Sequence, residues 1–146
     1  MKIFLDTSAL AKRYVQEPGS EELEELFSSV ATEVFVSTLA FVEFAAAMGR
    51  KLRSKDITKT SARKAIRELE KDWYDLFVKI SLTENLAESA ASIALQYSLK
   101  GADAVHLASS KEVSAELFIA SDNQLIQTAK KMGMHPYNPE SGIYKP

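Results

Sequence analysis

Four short apolar runs, Lys2 to Leu5, Val34 to Ser37, Phe77 to Ile80 and Leu117 to Ala120, recur along the chain at strand length. The stretches between them read as helices. Leu39 to Leu52 is rich in alanine, Ser61 to Leu76 is strongly charged, and Leu86 to Tyr97 and Ala102 to Val113 carry apolar residues three and four apart. Strands alternating with helices predict an α/β layered fold around a central, mostly parallel sheet. No internal repeat, low-complexity tract or Pro/Gly-rich linker interrupts the pattern, and the four prolines fall in an early loop and in the tail. A single domain over residues 1–146 is therefore expected, since 146 residues of which 46% are hydrophobic suffice for one core.

Composition narrows the chemistry. The chain has no cysteine and only two histidines, His106 and His135, far apart in sequence. Thiolate catalysis, disulfides and Cys- or His-rich metal centres are excluded, so any metal must be held by oxygen. There is no run of about 18 apolar residues and no secretory leader pattern, which predicts a cytoplasmic protein without a membrane partner. Net charge is −2, but the charges are segregated. Residues 17–33 hold six glutamates and no base, while Arg50, Lys51, Arg53, Lys55, Lys59, Arg63, Lys64, Arg67 and Lys71 make up nine of the 18 basic residues. That segment reads either as a solvated helix face or as a rim for phosphates.

Four acids stand in unusual places. Asp6 ends the first apolar run and Asp122 follows the fourth, so parallel strands would deliver both carboxylates to one edge of the sheet, where α/β proteins bind ligands. Glu43 is the only charge in LAFVEFAAAM, and Asp103 is alone in GADAVHLA at what should be a helix start. Each aspartate has a bland explanation as a helix cap or first-turn residue, and Glu43 could pair with an arginine. The set is harder to explain away, because unpartnered carboxylates removed from water cost several kcal/mol each. If the four converge, their repulsion raises some pKa values and a divalent cation relieves it. Scattered hard oxygen ligands suit Mg²⁺ or Mn²⁺, and such ions support hydrolysis of phosphodiesters. Thr7 and Ser8 offer hydroxyls to hold the carboxylates.

These same segments carry a family resemblance. KIFLDTSAL, the VEF of STLAFVEFAAA, GADAVHLA and FIASDNQL resemble, in order and separation, the four acid-bearing motifs of PIN-domain nucleases of the compact VapC toxin type. The likeness runs from Asp6 to about Pro136 and implies a PIN-like three-layer fold. By this resemblance Asp6, Glu43, Asp103 and Asp122 form an acidic metal site, with Ser8 as the hydroxyl beside the first acid. It further implies an Mg²⁺- or Mn²⁺-dependent endoribonuclease acting on RNA, a homodimer, and a small protein antitoxin as partner. One position departs from the pattern. Family members often carry a hydroxyl two residues before the fourth acid, where this chain has Ala120, with Ser121 next to it.

The remaining landmarks read as structural. His106, one turn beyond Asp103, is taken as a structural or partly exposed histidine, Trp73 and Tyr74 as core, and His135 with Tyr137 and Asn138 as part of a closing strand and loop. Ile66, Leu69, Trp73 and Leu76 form an apolar stripe suited to the core or to a partner. A phosphatase using a strand-end Asp nucleophile needs a second Asp two residues on, where this chain has Ser8. Neither a G-x-G-x-x-G nor a Walker sequence occurs among the five glycines. The alternative of a different class is a noncatalytic RNA- or protein-binding module with the same fold.

Overall fold

The computed structural model describes residues 1–31 and 33–146. Five strands, β1 (Lys2–Leu5), β2 (Glu33–Ser37), β3 (Phe77–Ile80), β4 (Leu117–Ile119) and β5 (Pro136–Tyr137), form one sheet in the order β3-β2-β1-β4-β5. Every pairing is parallel. Among the described residues seven α-helices connect them: α1 (Thr7–Tyr14), α2 (Ser20–Ser29), α3 (Leu39–Arg53), α4 (Lys59–Asp75), α5 (Glu84–Tyr97), α6 (Gly101–Glu112) and α7 (Asn123–Lys131). None is long and apolar enough among the described residues to cross a membrane.

The three layers follow from strand alternation. Successive side chains of a strand point to opposite faces, and a sheet covered on both faces reads as a nearly unbroken apolar run. Ile3, Leu5, Val34, Val36, Leu117 and Ile119 pack on one face with Leu10 of α1, Leu23 and Leu26 of α2, Phe44 and Met48 of α3, and Leu69 of α4. Phe4, Phe35, Phe118 and Ala120 face the other way, onto Leu107 of α6 and Leu125, Ile126 and Ala129 of α7. A third cluster, Leu86, Ala90, Ala104, Val105 and Ala108, joins α5 to α6. Burying a side chain such as Phe4, which is fully enclosed and stacked at 6.0 Å on Phe118, contributes about 1.5–3 kcal/mol.

Register sets where the functional residues emerge. Leu5 lies level with Val36 on one side and Ile119 on the other, so β1 and β4 end at the same height and β2 runs one residue further, to Ser37. The backbone N–H of Asp6 donates to the Ile119 carbonyl at 3.0 Å, carrying the β1–β4 ladder one residue past β1. Asp6 therefore leaves the sheet at its carboxyl edge, beside the start of α3 and the turn after β4. The four expected strands and four expected helices all form, and the expected closing strand is β5. α1, α2 and α7 are additional to the expected helices. α1 and α7 are short helices capped by Asp6 and Asp122, whose side chains accept the N–H groups of Ala9 and Leu125.

Candidate functional site

The carboxyl edge gathers polar side chains from the β1–α1 junction, α1, α3, α6 and the β4–α7 turn. Asp6 is buried, and its carboxylate accepts the Ala9 N–H at 2.9 Å and the Ser8 hydroxyl at 2.7 and 2.9 Å. The Ser8 oxygen in turn accepts the N–H of Ser121 at 2.9 Å. Burial pushes the Asp6 carboxyl up to about 6, against the attraction of His106 and the hydrogen bonds from Ala9 and Ser8, and repulsion from Asp103 adds to the rise. Asp6 thus caps a helix and stands in an acidic neighbourhood at once.

Asp103 sits in the first turn of α6, half-buried. Its carboxyl is raised by burial first and by repulsion from Asp122 next, with Glu43 adding to the effect and His106 and Lys100 opposing it. Asp103 is therefore the electrostatic meeting point of the set: it feels Asp122 and Glu43 and is itself felt by Asp6. Asp122 is exposed and accepts the Leu125 N–H at 2.9 Å.

Glu43 projects from α3 toward α1 and α6. Its Oε1 accepts the Thr7 hydroxyl at 2.6 Å and lies 2.5 Å from His106 Nε2. Burial alone would raise its carboxyl, but the hydrogen bonds from His106 and Thr7, helped by the attraction of His106 and Arg50, hold it below the usual carboxylate range. The arginine partner considered from the sequence is thus a distant attraction, and the direct partners are a threonine and a histidine. His106 is buried, not partly exposed, and bonded to a candidate site acid. The sequence signal for it was its place three residues after Asp103, which sets both on one side of α6.

At the departing position, Ala120 is fully buried against α7, and the neighbouring Ser121 contributes its backbone N–H to Ser8. The Ser121 hydroxyl is buried without a hydrogen-bond partner among the described residues. Among these residues no three His, Asp or Glu side chains stand close enough to enclose a cation. The donor set still fits Mg²⁺, which keeps several waters and is commonly held through one or two carboxylates.

Farther out, the basic segment spans the last turn of α3 and the outer face of α4, with Arg50, Arg53, Lys55, Lys59, Arg63, Lys64, Arg67 and Lys71 exposed. Trp73 packs edge-on against Phe41 at 5.1 Å as expected of core, whereas Tyr74 is 81% exposed and Leu76 lies at the surface. The apolar stripe of α4 is therefore buried at Leu69 and open at its end.

The PIN-domain sequence profile matches residues 3–131. The chain belongs to the PIN-domain family. Its similarity to the VapC branch is direct: Ribonuclease VapC45 of Mycobacterium tuberculosis is 32% identical over 114 residues, 76% of either chain. Among solved structures, this PIN-domain chain shares the fold of FitAcB from Neisseria gonorrhoeae, with a TM-score of 0.71, 19% identity, and coverage of 94% and 97% of the two chains. It likewise matches M. tuberculosis VapC20, described as a sarcin-ricin loop cleaving toxin, with a TM-score of 0.71, 18% identity, and coverage of 90% and 95%.

Proposed function

We propose that this PIN-domain protein is an Mg²⁺- or Mn²⁺-dependent endoribonuclease, the toxin of a VapBC-type pair, with a small antitoxin as its partner and a homodimer as its working form in the cytoplasm. The observation that carries the reading is the electrostatic coupling of Asp103 to Asp6, Glu43 and Asp122, acids from separate elements at one sheet edge. The ribonuclease designation of VapC45 supports the same reaction class.

In this reading Asp6, Glu43, Asp103 and Asp122 hold the cation, directly or through water. When bound, it would neutralise charge on the phosphoryl oxygens and acidify an attacking water. The chain's own residues prepare the site. Ser8 and the Ala9 N–H hold Asp6 in place, Thr7 and His106 keep Glu43 ionised, and the Asp122 cap fixes the start of α7 beside Asp103. With its carboxyl raised to about 6, Asp6 gives up its remaining proton readily at neutral pH once positive charge arrives.

The test is cleavage of single-stranded RNA with Mg²⁺ or Mn²⁺, with and without chelator, for the wild type and Asp103→Asn. Expected are internal cuts that chelator abolishes and that the substitution lowers by about a hundredfold or more. Activity indifferent to both would overturn the reading. Retained RNA binding without cleavage would favour the noncatalytic module.

A further inference from the structure

The acids account for charge but not for aim. Glu43 is the one candidate ligand that reaches the site from mid-helix on a long side chain, without a cap to hold it. A glutamate free to rotate on α3 would spread its two oxygens over several positions, so something must choose one.

The choice is visible at Oε1. The Thr7 hydroxyl and His106 Nε2 both approach this single oxygen, at 2.6 and 2.5 Å, and lie 3.2 Å from one another. Because an ionised carboxylate oxygen only accepts, Nε2 must carry a hydrogen in either charge state of the ring. Oε2 accepts no hydrogen bond among the described residues and is the oxygen left for the site. His106 itself cannot drift: it is 1% exposed, and its ring lies edge-on to Phe4 at 6.3 Å and 66°. Its other nitrogen, Nδ1, is buried with no partner among the described residues. A histidine kept only for packing gains nothing from an orphaned nitrogen, whereas one kept to hold Glu43 needs only Nε2.

Resting on the nuclease reading above, we propose that His106 is a positioning residue: its Nε2–H, with the Thr7 hydroxyl, holds Glu43 by Oε1 and presents Oε2 to the divalent cation. An imidazole suits this place because its N–H donates without the permanent charge of a lysine or arginine, which would compete with the cation. Groups that orient ligating carboxylates from outside commonly contribute tenfold to a hundredfold in metal affinity or activity.

The experiment compares His106→Leu, which removes the donor, with His106→Gln, whose amide reaches toward the place of Nε2. Binding of Mn²⁺ alone, without RNA, is read by calorimetry and electron paramagnetic resonance on proteins whose folding is checked by circular dichroism. Expected is Mn²⁺ affinity about tenfold to a hundredfold weaker in the leucine variant and restored to within about threefold in the glutamine variant. RNA cleavage at saturating Mn²⁺ should recover more than cleavage at limiting Mn²⁺. Equal Mn²⁺ affinity in wild type and leucine variant, or equal loss in both variants, overturns the proposal. Should the leucine variant fail to fold, long-range ¹H–¹⁵N spectra of the wild-type imidazole decide: hydrogen on Nε2 is expected, and hydrogen on Nδ1 alone overturns it. A wild type that neither binds Mn²⁺ nor cuts RNA while showing hydrogen on Nε2 overturns the nuclease reading, and is thereby told apart from a failure at His106 alone.

Discussion

The hydroxyl of Ser8 accepts the backbone N–H of Ser121 at 2.9 Å, joining the first turn of α1 to the turn after β4 across 113 residues of sequence. The same oxygen donates to Asp6 at 2.7 and 2.9 Å, so one side chain ties a strand-end acid to the loop that leads to Asp122. Ser8→Ala leaves the Ser121 N–H unpaired and takes a donor from a buried carboxylate. The expected loss is about 1–3 kcal/mol in unfolding free energy by urea titration. Asp6 should also titrate at higher pH than in the wild type, since a hydrogen bond to its charged form is gone. A stability unchanged within about 0.5 kcal/mol would mean that water replaces the hydroxyl at no cost.

Asp6 makes stability depend on pH in an unusual direction. Its folded carboxyl titrates at about 6, above the ordinary 3.8, so the folded state binds a proton more readily than the unfolded chain. The penalty of holding the charged form is complete above pH 6 and fades as pH falls through 6 toward 4, and the upward shift of Asp103 acts in the same sense. Unfolding free energy should therefore rise on acidification from pH 7.5 to 5, by about 1.4 kcal/mol from Asp6. Glu43, held low, loses its contribution only at more acid pH. Millimolar Mg²⁺ should raise the melting temperature more at pH 7.5 than at 5.5, because protons and the cation compete for the same oxygens. A melting temperature that falls steadily from pH 7.5 to 5, with no Mg²⁺ effect at either end, contradicts both halves.

The layers were legible because burial on both faces writes itself into the strands: Phe4 and Ile3 are both apolar since each has a layer to meet. The acids were legible because Glu43 and Asp103 interrupt apolar helical stretches. The helix starts at Asp6 and Asp122 were harder to read, since a carboxylate just after a strand reads equally as a cap or as a site acid, and the hydrogen bonds to Ala9 and Leu125 show the cap at both. The role of His106 was hidden for a different reason. Its partner, Glu43, is 63 residues away, and only the approach of α3 to α6 brings them together. Tyr74 looked like core because helical spacing does not show where α4 runs past its neighbours.

A buried lysine fastens the C-terminal segment. Lys12 is enclosed on α1 and meets Glu17 at 3.2 Å and Glu140 at 2.8 Å, while both glutamates keep contact with water. Removing the lysine and removing its partners should differ sharply. Lys12→Met frees two glutamates that can hydrate and should cost less than about 1 kcal/mol, whereas Glu17→Gln with Glu140→Gln strands a buried ammonium and should cost about 3 kcal/mol or more. Chemical denaturation of the two variants measures the asymmetry, and equal losses would show that the lysine's stem packing outweighs its charge.

The basic face of α4 is open to solvent. Arg63 and Lys64 are exposed, and the one ion pair they make among the described residues, Lys64 with Glu68 at 3.8 Å, is a surface contact of small worth. Reversing both charges should therefore leave unfolding within about 0.5 kcal/mol of wild type. If this face guides RNA toward the acids, the reversal weakens RNA binding and makes it less sensitive to salt. Each phosphate contact on a single strand contributes about 0.7 to the slope of log affinity against log salt, so losing two contacts should reduce the slope by about 1.4. Fluorescence anisotropy with a labelled RNA in Ca²⁺ or chelator, where cleavage does not interfere, reads affinity and slope together. An unaltered slope assigns the segment to solvent or to the protein partner, because a phosphate rim cannot lose two charges without releasing fewer counterions.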